Sequence, residues 1–165
     1  TPLFGGGAMT RILHPWFSLG FLVCFALQIL NWWRPMSWNE SDNRWMRQIK
    51  GYVTNAHARE PAYVDFFNAG QKAYFWTIVG SAVLFLASGI PLWFPRTFNR
   101  TVVSLSYVAH DLAALVMLVG FIIHLYEGTA AQPGTFQSMT RGTVEKRWAA
   151  THHPAWYRRA EKSNP

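Results

Sequence analysis

The chain has 165 residues, 50% of them hydrophobic and 16% aromatic, with 15 Lys and Arg against 8 Asp and Glu for a formal net charge of +7. Its mean hydropathy of +0.03 averages over sharply segregated parts, because the apolar residues gather in three blocks: Pro15–Trp33, Ala73–Phe94 and Val102–Tyr126. The single cysteine, Cys24, lies inside the first block, which excludes an internal disulfide, a Cys-ligated zinc site and an iron–sulfur cluster built by this chain alone.

Helical rise gives the three blocks reaches of about 28, 33 and 37 Å, enough to cross a hydrocarbon core of about 30 Å with some tilt. The fold class predicted is therefore all-α, a transmembrane helix bundle with spans over about 14–33, 73–94 and 102–127. Residues 1–10 hold Gly5, Gly6 and Gly7 and read as a flexible lead-in. The start at Thr1, without Met or a secretory signal pattern, reads as processed or truncated. The first span opens at His14 and Pro15, where proline is tolerated in a first helical turn. Trp16 at one end and Trp32 and Trp33 at the other are expected as interfacial anchors. In the 34–72 connection, Trp38, Trp45, Met46, Ile49, Tyr52 and Val53 keep helical spacing, which predicts an amphipathic helix on the membrane surface that Pro61 ends or interrupts. Asn68 suits an N-cap for the second span. A short turn from Pro95 to Thr101 leads to the third span, which Gly128 and Pro133 stop, and a polar 128–165 tail follows.

Basic residues sort by side. Twelve of the 15 Lys and Arg fall in the connection and the tail, leaving Arg11, Arg96 and Arg100 for the opposite face. By the positive-inside rule the connection and C-terminus are cytoplasmic, and the N-terminus and the 95–101 turn lie outside. The positive charge is thus read as topology, with membrane lipid as the surrounding partner and no role in nucleic-acid binding.

The chemistry resides in histidines. His110 and His124 stand 14 residues apart in the third block, a separation that rises about 21 Å and ends about 40° short of four full turns. Both imidazoles leave one face at two depths. Such a pair cannot share one metal ion, so each histidine needs its own centre, and haem iron with axial histidine fits best. His14, at the outer start of the first span, reaches the depth of His110, because both helices run inward. One haem b fits between them, beside the small residues Gly20, Ala113 and Ala114. The plain alternative makes His14 an interfacial helix-start residue and His110 a hydrogen-bonded buried one. Asp111 either steers a ring or propionate or faces the outer interface. His124 finds no partner on a span, since His57, His152 and His153 all lie in polar segments where structural roles are expected. The chain thus holds one complete haem site and half of a second.

Four motifs in one order carry a resemblance over about residues 11–162: Arg11-Ile12-Leu13-His14-Pro15; Asn68-Ala69-Gly70-Gln71-Lys72 with Phe75-Trp76; the His110 to His124 helix; and Lys146-Arg147-Trp148 through His152-His153-Pro154-Ala155-Trp156-Tyr157-Arg158. The sequence resembles the cytochrome b (gamma) subunit of respiratory formate dehydrogenases. That resemblance implies a four-helix membrane subunit with two b haems, the outer held by His14 and His110, the inner by His124 and a histidine on a preceding helix that is missing here. It also implies a quinone pocket at Asn68, Gly70 and Gln71, where amides can donate to the quinone carbonyls and glycine leaves backbone accessible. Read without the resemblance, the same three residues are a helix cap and first turn.

The implied partners are an iron–sulfur (beta) subunit and a molybdenum- or tungsten-containing catalytic (alpha) subunit, both on the outer side of a bacterial inner membrane, with higher-order oligomers open. The expected function is transfer of electrons from the iron–sulfur partner through b haems to a quinone, with no formate-oxidising centre in this chain. Alternatives are the cytochrome b of a hydrogenase- or thiosulfate-reductase-type complex and a cofactor-free membrane anchor.

Overall fold

The computed structural model describes residues 5–54 and 60–163; His57 and Arg59 lie outside the described residues. Among those residues the regular structure is helical: α1 (Gly6–Trp32), α2 (Glu40–Arg47), α3 (Ile49–Thr54), α4 (Ala69–Trp93), α5 (Arg100–Tyr126), a π-helical turn (Glu127–Ala131), α6 (Thr135–Arg141), α7 (Lys146–His152) and α8 (Pro154–Ser163). Three stretches are long and apolar enough to cross a membrane: Gly6–Trp32, Ala69–Trp93 and Arg100–Ala131. The protein is an all-α membrane helix bundle. Large apolar side chains such as Phe17, Leu30, Leu105, Phe121 and Ile122 stay more than 50% exposed on α1 and α5, an arrangement water would penalise and hydrocarbon covers.

The first and third spanning helices start earlier than the sequence pattern predicts, whereas the second starts at the cap that the sequence offers. α1 begins at Gly6, so the expected lead-in from Gly6 to Thr10 is its first turns and Pro15 lies in the helix interior. Proline there removes the bond that its own N–H would have made and crowds the carbonyl one turn back, yet α1 continues past it to Trp32. α4 begins at Ala69 because Asn68 caps it: Asn68 Oδ1 accepts the Gln71 backbone N–H at 2.9 Å and Gln71 Oε1 accepts the Asn68 N–H at 3.0 Å. This reciprocal box satisfies two otherwise orphaned donors. At α5, Asn99 Oδ1 accepts the Val102 N–H at 2.9 Å.

The chain divides into two compact units, one of residues 1–34 and 77–118, the other of 35–76 and 119–165. In the first, the buried residues of α4 and α5 are small or compact: Ser81, Ala82, Ser88, Pro91, Ser106 and Ala113. Small side chains let helix backbones approach closely where lipid supplies no hydrophobic drive for association. Trp16 meets Trp93 edge-on at 5.9 Å between ring centres.

The second unit has a polar, largely buried framework. The connection forms two short helices rather than one, and Trp45, Met46 and Ile49 face inward. Trp45 is 4% exposed and packs with Val64 and Ala69, flanked by Met46, Ile49 and Tyr63. The lipid-facing role expected of this stripe fails at Trp45 because its indole Nε1–H has a buried protein acceptor, Glu60 Oε2, at 2.7 Å. Asn39 and Asp42 cap α2 reciprocally. The same Asp42 carboxylate accepts from Lys72 Nζ at 2.8 Å, with both side chains nearly buried, and Lys72 also donates to Ser37 O at 3.1 Å. Trp76 Nε1 donates to Met36 O at 2.9 Å.

Removing one partner of a buried ion pair strands the other charge. Lys72→Met is therefore expected to destabilise the second unit by about 3–5 kcal/mol. The check is hydrogen exchange of the α2 amides in the purified protein, where protection should fall; unchanged protection would show that the pair does not hold α2.

Candidate functional site

In the first unit α1 and α5 bring His14 and His110 together, with ring centres 6.1 Å apart and planes at 77°. His14 sits one turn into the part of α1 that follows Thr10, and Ser18 Oγ donates to the His14 carbonyl at 2.8 Å. His110 is held from α4. The Phe85 ring meets it edge-on at 4.8 Å, and Ser88 Oγ lies 2.9 Å from His110 Nδ1. Ser88 is 3% exposed. Of the expected small-residue slot, Ala113 is buried, whereas Gly20 and Ala114 are exposed. Asp111 is exposed as well.

Sequence reasoning missed Ser88 and Phe85. Neither has a motif, and their helix was assigned no role at this depth. The available signal was a buried-type polar residue in the middle of an apolar helix, which in lipid normally has a partner.

In the second unit, His124 is exposed and its ring stacks on that of Tyr74 at 5.3 Å, with the planes 8° apart. Asn68, Gly70 and Gln71 gather at the start of α4. Both ends of the Asn68 carboxamide are used: Oδ1 caps α4 and Nδ2 donates to Glu60 Oε1 at 2.7 Å. Gly70 has a packing reason of its own, since a Cβ there would come within 3.2 Å of Trp45 Cη2. Gln71 is exposed. Its Oε1 accepts the Asn68 N–H, so its NH2 is the amide group left to donate outward. Glu60 is a further residue that sequence reasoning missed. Its carboxylate joins Trp45 to Asn68 and so couples α2 to the start of α4.

The tail clamps this region. Thr151 O accepts from the Glu60 N–H at 3.1 Å, Val64 O from the Ala155 N–H at 2.9 Å, and Ala62 O from Arg158 at 2.5 Å. Arg159 pairs with Asp65. His153 Nδ1 lies 3.1 Å from Asp65 O, and its ring packs among Trp148, Trp156 and Phe66. His152 packs on Trp148. Gly134 makes room for that indole: at φ 99 a Cβ would stand 2.8 Å from Trp148 Cδ1. Among the described residues, no group of three or more His, Cys, Asp or Glu is assembled to hold a metal ion.

The profile of prokaryotic cytochrome b561 matches residues 1–142. The chain belongs to the prokaryotic cytochrome b561 family. Among relatives of this cytochrome b, the nitrate-inducible formate dehydrogenase cytochrome b556 subunit of Escherichia coli is 32% identical over 166 residues, covering 99% of this chain and 76% of the relative. A second formate dehydrogenase cytochrome b556 subunit from Escherichia coli is 30% identical, covering 98% and 76%. The formate dehydrogenase cytochrome b556 subunit of Haemophilus influenzae is 29% identical, covering 96% and 67%.

The group implied by this family is haem b, and the histidine pair can be tested against it. Two axial imidazoles, each about 2.0 Å from one metal through nitrogen, have ring centres roughly 6 to 6.5 Å apart. The 6.1 Å of His14 and His110 lies in that range, and the contact of Ser88 with Nδ1 leaves Nε2 of His110 for a ligand. The pair fits the group.

Burial lowers the pKa of His153, against the opposing pull of the Asp65 carbonyl and carboxylate, and burial with the neighbouring His153 charge lowers that of His152. A histidine whose folded pKa is depressed binds fewer protons folded than unfolded. Stability then rises with pH and is fully present above about 6.5. Tail docking is expected to weaken as pH falls from 6.5 through the lower folded values. The Arg159 guanidinium holds the Asp65 carboxyl below its usual range, so that pair persists across this window. The check is exchange of the Glu60 and Ala155 amides, corrected for intrinsic rates, at pH 7.5 and 5.5. A response as large in His153→Gln as in the parent would assign the effect elsewhere.

Proposed function

We propose that this chain is the membrane electron-transfer subunit of a formate dehydrogenase complex, accepting electrons from an iron–sulfur partner and delivering them by way of b haems to a quinone. The observation that carries this reading is the His14–His110 pair, 6.1 Å between ring centres, in a chain of a cytochrome b family. The relatives, which are formate dehydrogenase cytochrome b556 subunits, supply the complex. Haem b supplies a one-electron carrier whose potential responds to its axial ligands and surroundings. His14 and His110 hold one such group. His124, on the same uninterrupted α5, offers one ligand to a second. A cofactor-free anchor leaves this pairing of histidines within apolar helices without a reason.

Formate oxidation is assigned to a separate molybdenum- or tungsten-containing subunit. In the proposed orientation the catalytic and iron–sulfur partners lie outside a bacterial inner membrane, with the 34–72 connection and the tail cytoplasmic. Quinone is proposed to bind at the start of α4, where Gln71 is exposed, Gly70 is half-buried and Asn68 is buried behind them. Gln71 is the donor to a quinone carbonyl, Asn68 holds the turn through its bonds to Glu60 and to the backbone, and Gly70 lets Trp45 close the protein side. Protons taken up there would come from the cytoplasm while electrons arrive from outside, a separation that contributes to a proton-motive force.

His110→Ala is expected to abolish the signal of one b haem in the visible spectrum of the purified complex and leave any other in place; unaltered spectra would refute the ligand assignment. Gln71→Glu keeps the oxygen that caps α4 and deletes the NH2. Loss of one such hydrogen bond, about 0.5–1.5 kcal/mol, should raise KM for quinone roughly 2–10-fold while haem reduction by formate continues at the parental rate. An unchanged KM would remove Gln71 from the site.

A further inference from the structure

We infer that Ser88 is a positioning residue for His110: its hydroxyl accepts the Nδ1 hydrogen, fixes the ring tautomer that presents Nε2, and sets how strongly that nitrogen donates. The inference rests on the reading of His110 as a haem ligand.

Hydroxyl geometry carries the argument. Ser88 has one hydrogen to give, and its Oγ lies 2.6 Å from Leu84 O one helical turn back, with Phe85 O further away at 3.4 Å. A serine within an apolar helix satisfies its hydrogen in this way, and Ser81 does the same towards Thr77 O at 2.9 Å. With its hydrogen committed, Ser88 Oγ faces His110 Nδ1 at 2.9 Å as an acceptor. Nδ1 therefore carries the proton, and Nε2 keeps its lone pair. The chain Nδ1–H to Oγ–H to Leu84 O is continuous, and each bond polarises the next. Phe85 abuts the ring edge-on, and Ser88 is buried at 3% exposure, so water does not compete for Nδ1. A back-bonding serine with no further role would need no imidazole within reach, and Ser81 is that case.

Hydrogen bonding at the outer nitrogen of a metal-bound histidine orients the ring and raises its basicity. A more basic axial ligand favours the oxidised metal and lowers the reduction potential. Ser88→Ala removes the acceptor at Nδ1 while leaving the helix intact. Ser88→Thr retains a hydroxyl.

The experiment is a redox titration of the b haems in the purified complex, following the visible band that His110→Ala eliminates. Ser88→Ala should raise the midpoint of that haem, shifting the ratio of oxidised to reduced form at fixed potential several-fold and up to tenfold, which for one electron is about 59 mV. Ser88→Thr and Ser81→Ala should titrate as the parent does. An unshifted midpoint in Ser88→Ala overturns the inference while the haem reading stands on the loss seen in His110→Ala. Loss of the haem from both Ser88→Ala and Ser88→Thr also overturns it, because size and not the hydroxyl would then decide. Retention of every haem band in His110→Ala removes the ligand reading itself and this inference with it.

Discussion

A hydrocarbon layer offers no hydrogen bonds, and that constraint organises this protein. Backbone groups must be satisfied within the chain, which leaves helices as the spanning elements here. Polar side chains must find partners on those helices or on a bound group. Ser81 solves the problem locally, on its own helix. His110 solves it with Ser88 at one nitrogen, leaving the other for the group proposed to lie against His14. The helices contribute rigidity, and the polar exceptions on them contribute the chemistry.

Outside the spans the solution is different. The second unit buries charge, with Lys72 against Asp42 and Glu60 between Trp45 and Asn68. Buried ions of this kind are expensive to hold and more expensive to break. Their value is register. Asp42 both caps α2 and receives Lys72, so α2 and the first turn of α4 are fixed by one carboxylate. Glu60 repeats the device from the segment that the tail grips. The start of α4, where quinone is proposed to bind, is thus fixed by α2 and by the segment 60–68, which α7 and α8 grip in turn.

Histidine serves two ends in this chain. In the spans it is offered as a ligand. In the tail His152 and His153 are depressed in pKa by burial among aromatic rings and hold a docking surface together while neutral. The difference follows from surroundings, not residue type, since an imidazole packed by indoles and bonded to a backbone carbonyl has little left to offer a metal.

The sequence alone determined what periodicity and composition can encode: three apolar stretches of spanning length, Asn68 as the cap of the second, and histidines at one depth on the first and third. These depend on nearest neighbours along a helix, which the chain writes directly. Helix starts were less legible, because a turn such as Gly6–Thr10 propagates through Pro15 without an apolar signature. Tertiary structure decided the rest. Lys72 and Asp42 are 30 residues apart and His153 and Asp65 are 88 apart, so no local pattern announces either pair. Trp45 and Ser88 show the same limit most clearly. One read as a lipid-facing stripe and is buried on Glu60; the other read as nothing and touches the histidine at the centre of the proposed function. Which groups share a hydrogen bond is set by how helices meet, and that information exists only after the chain has folded.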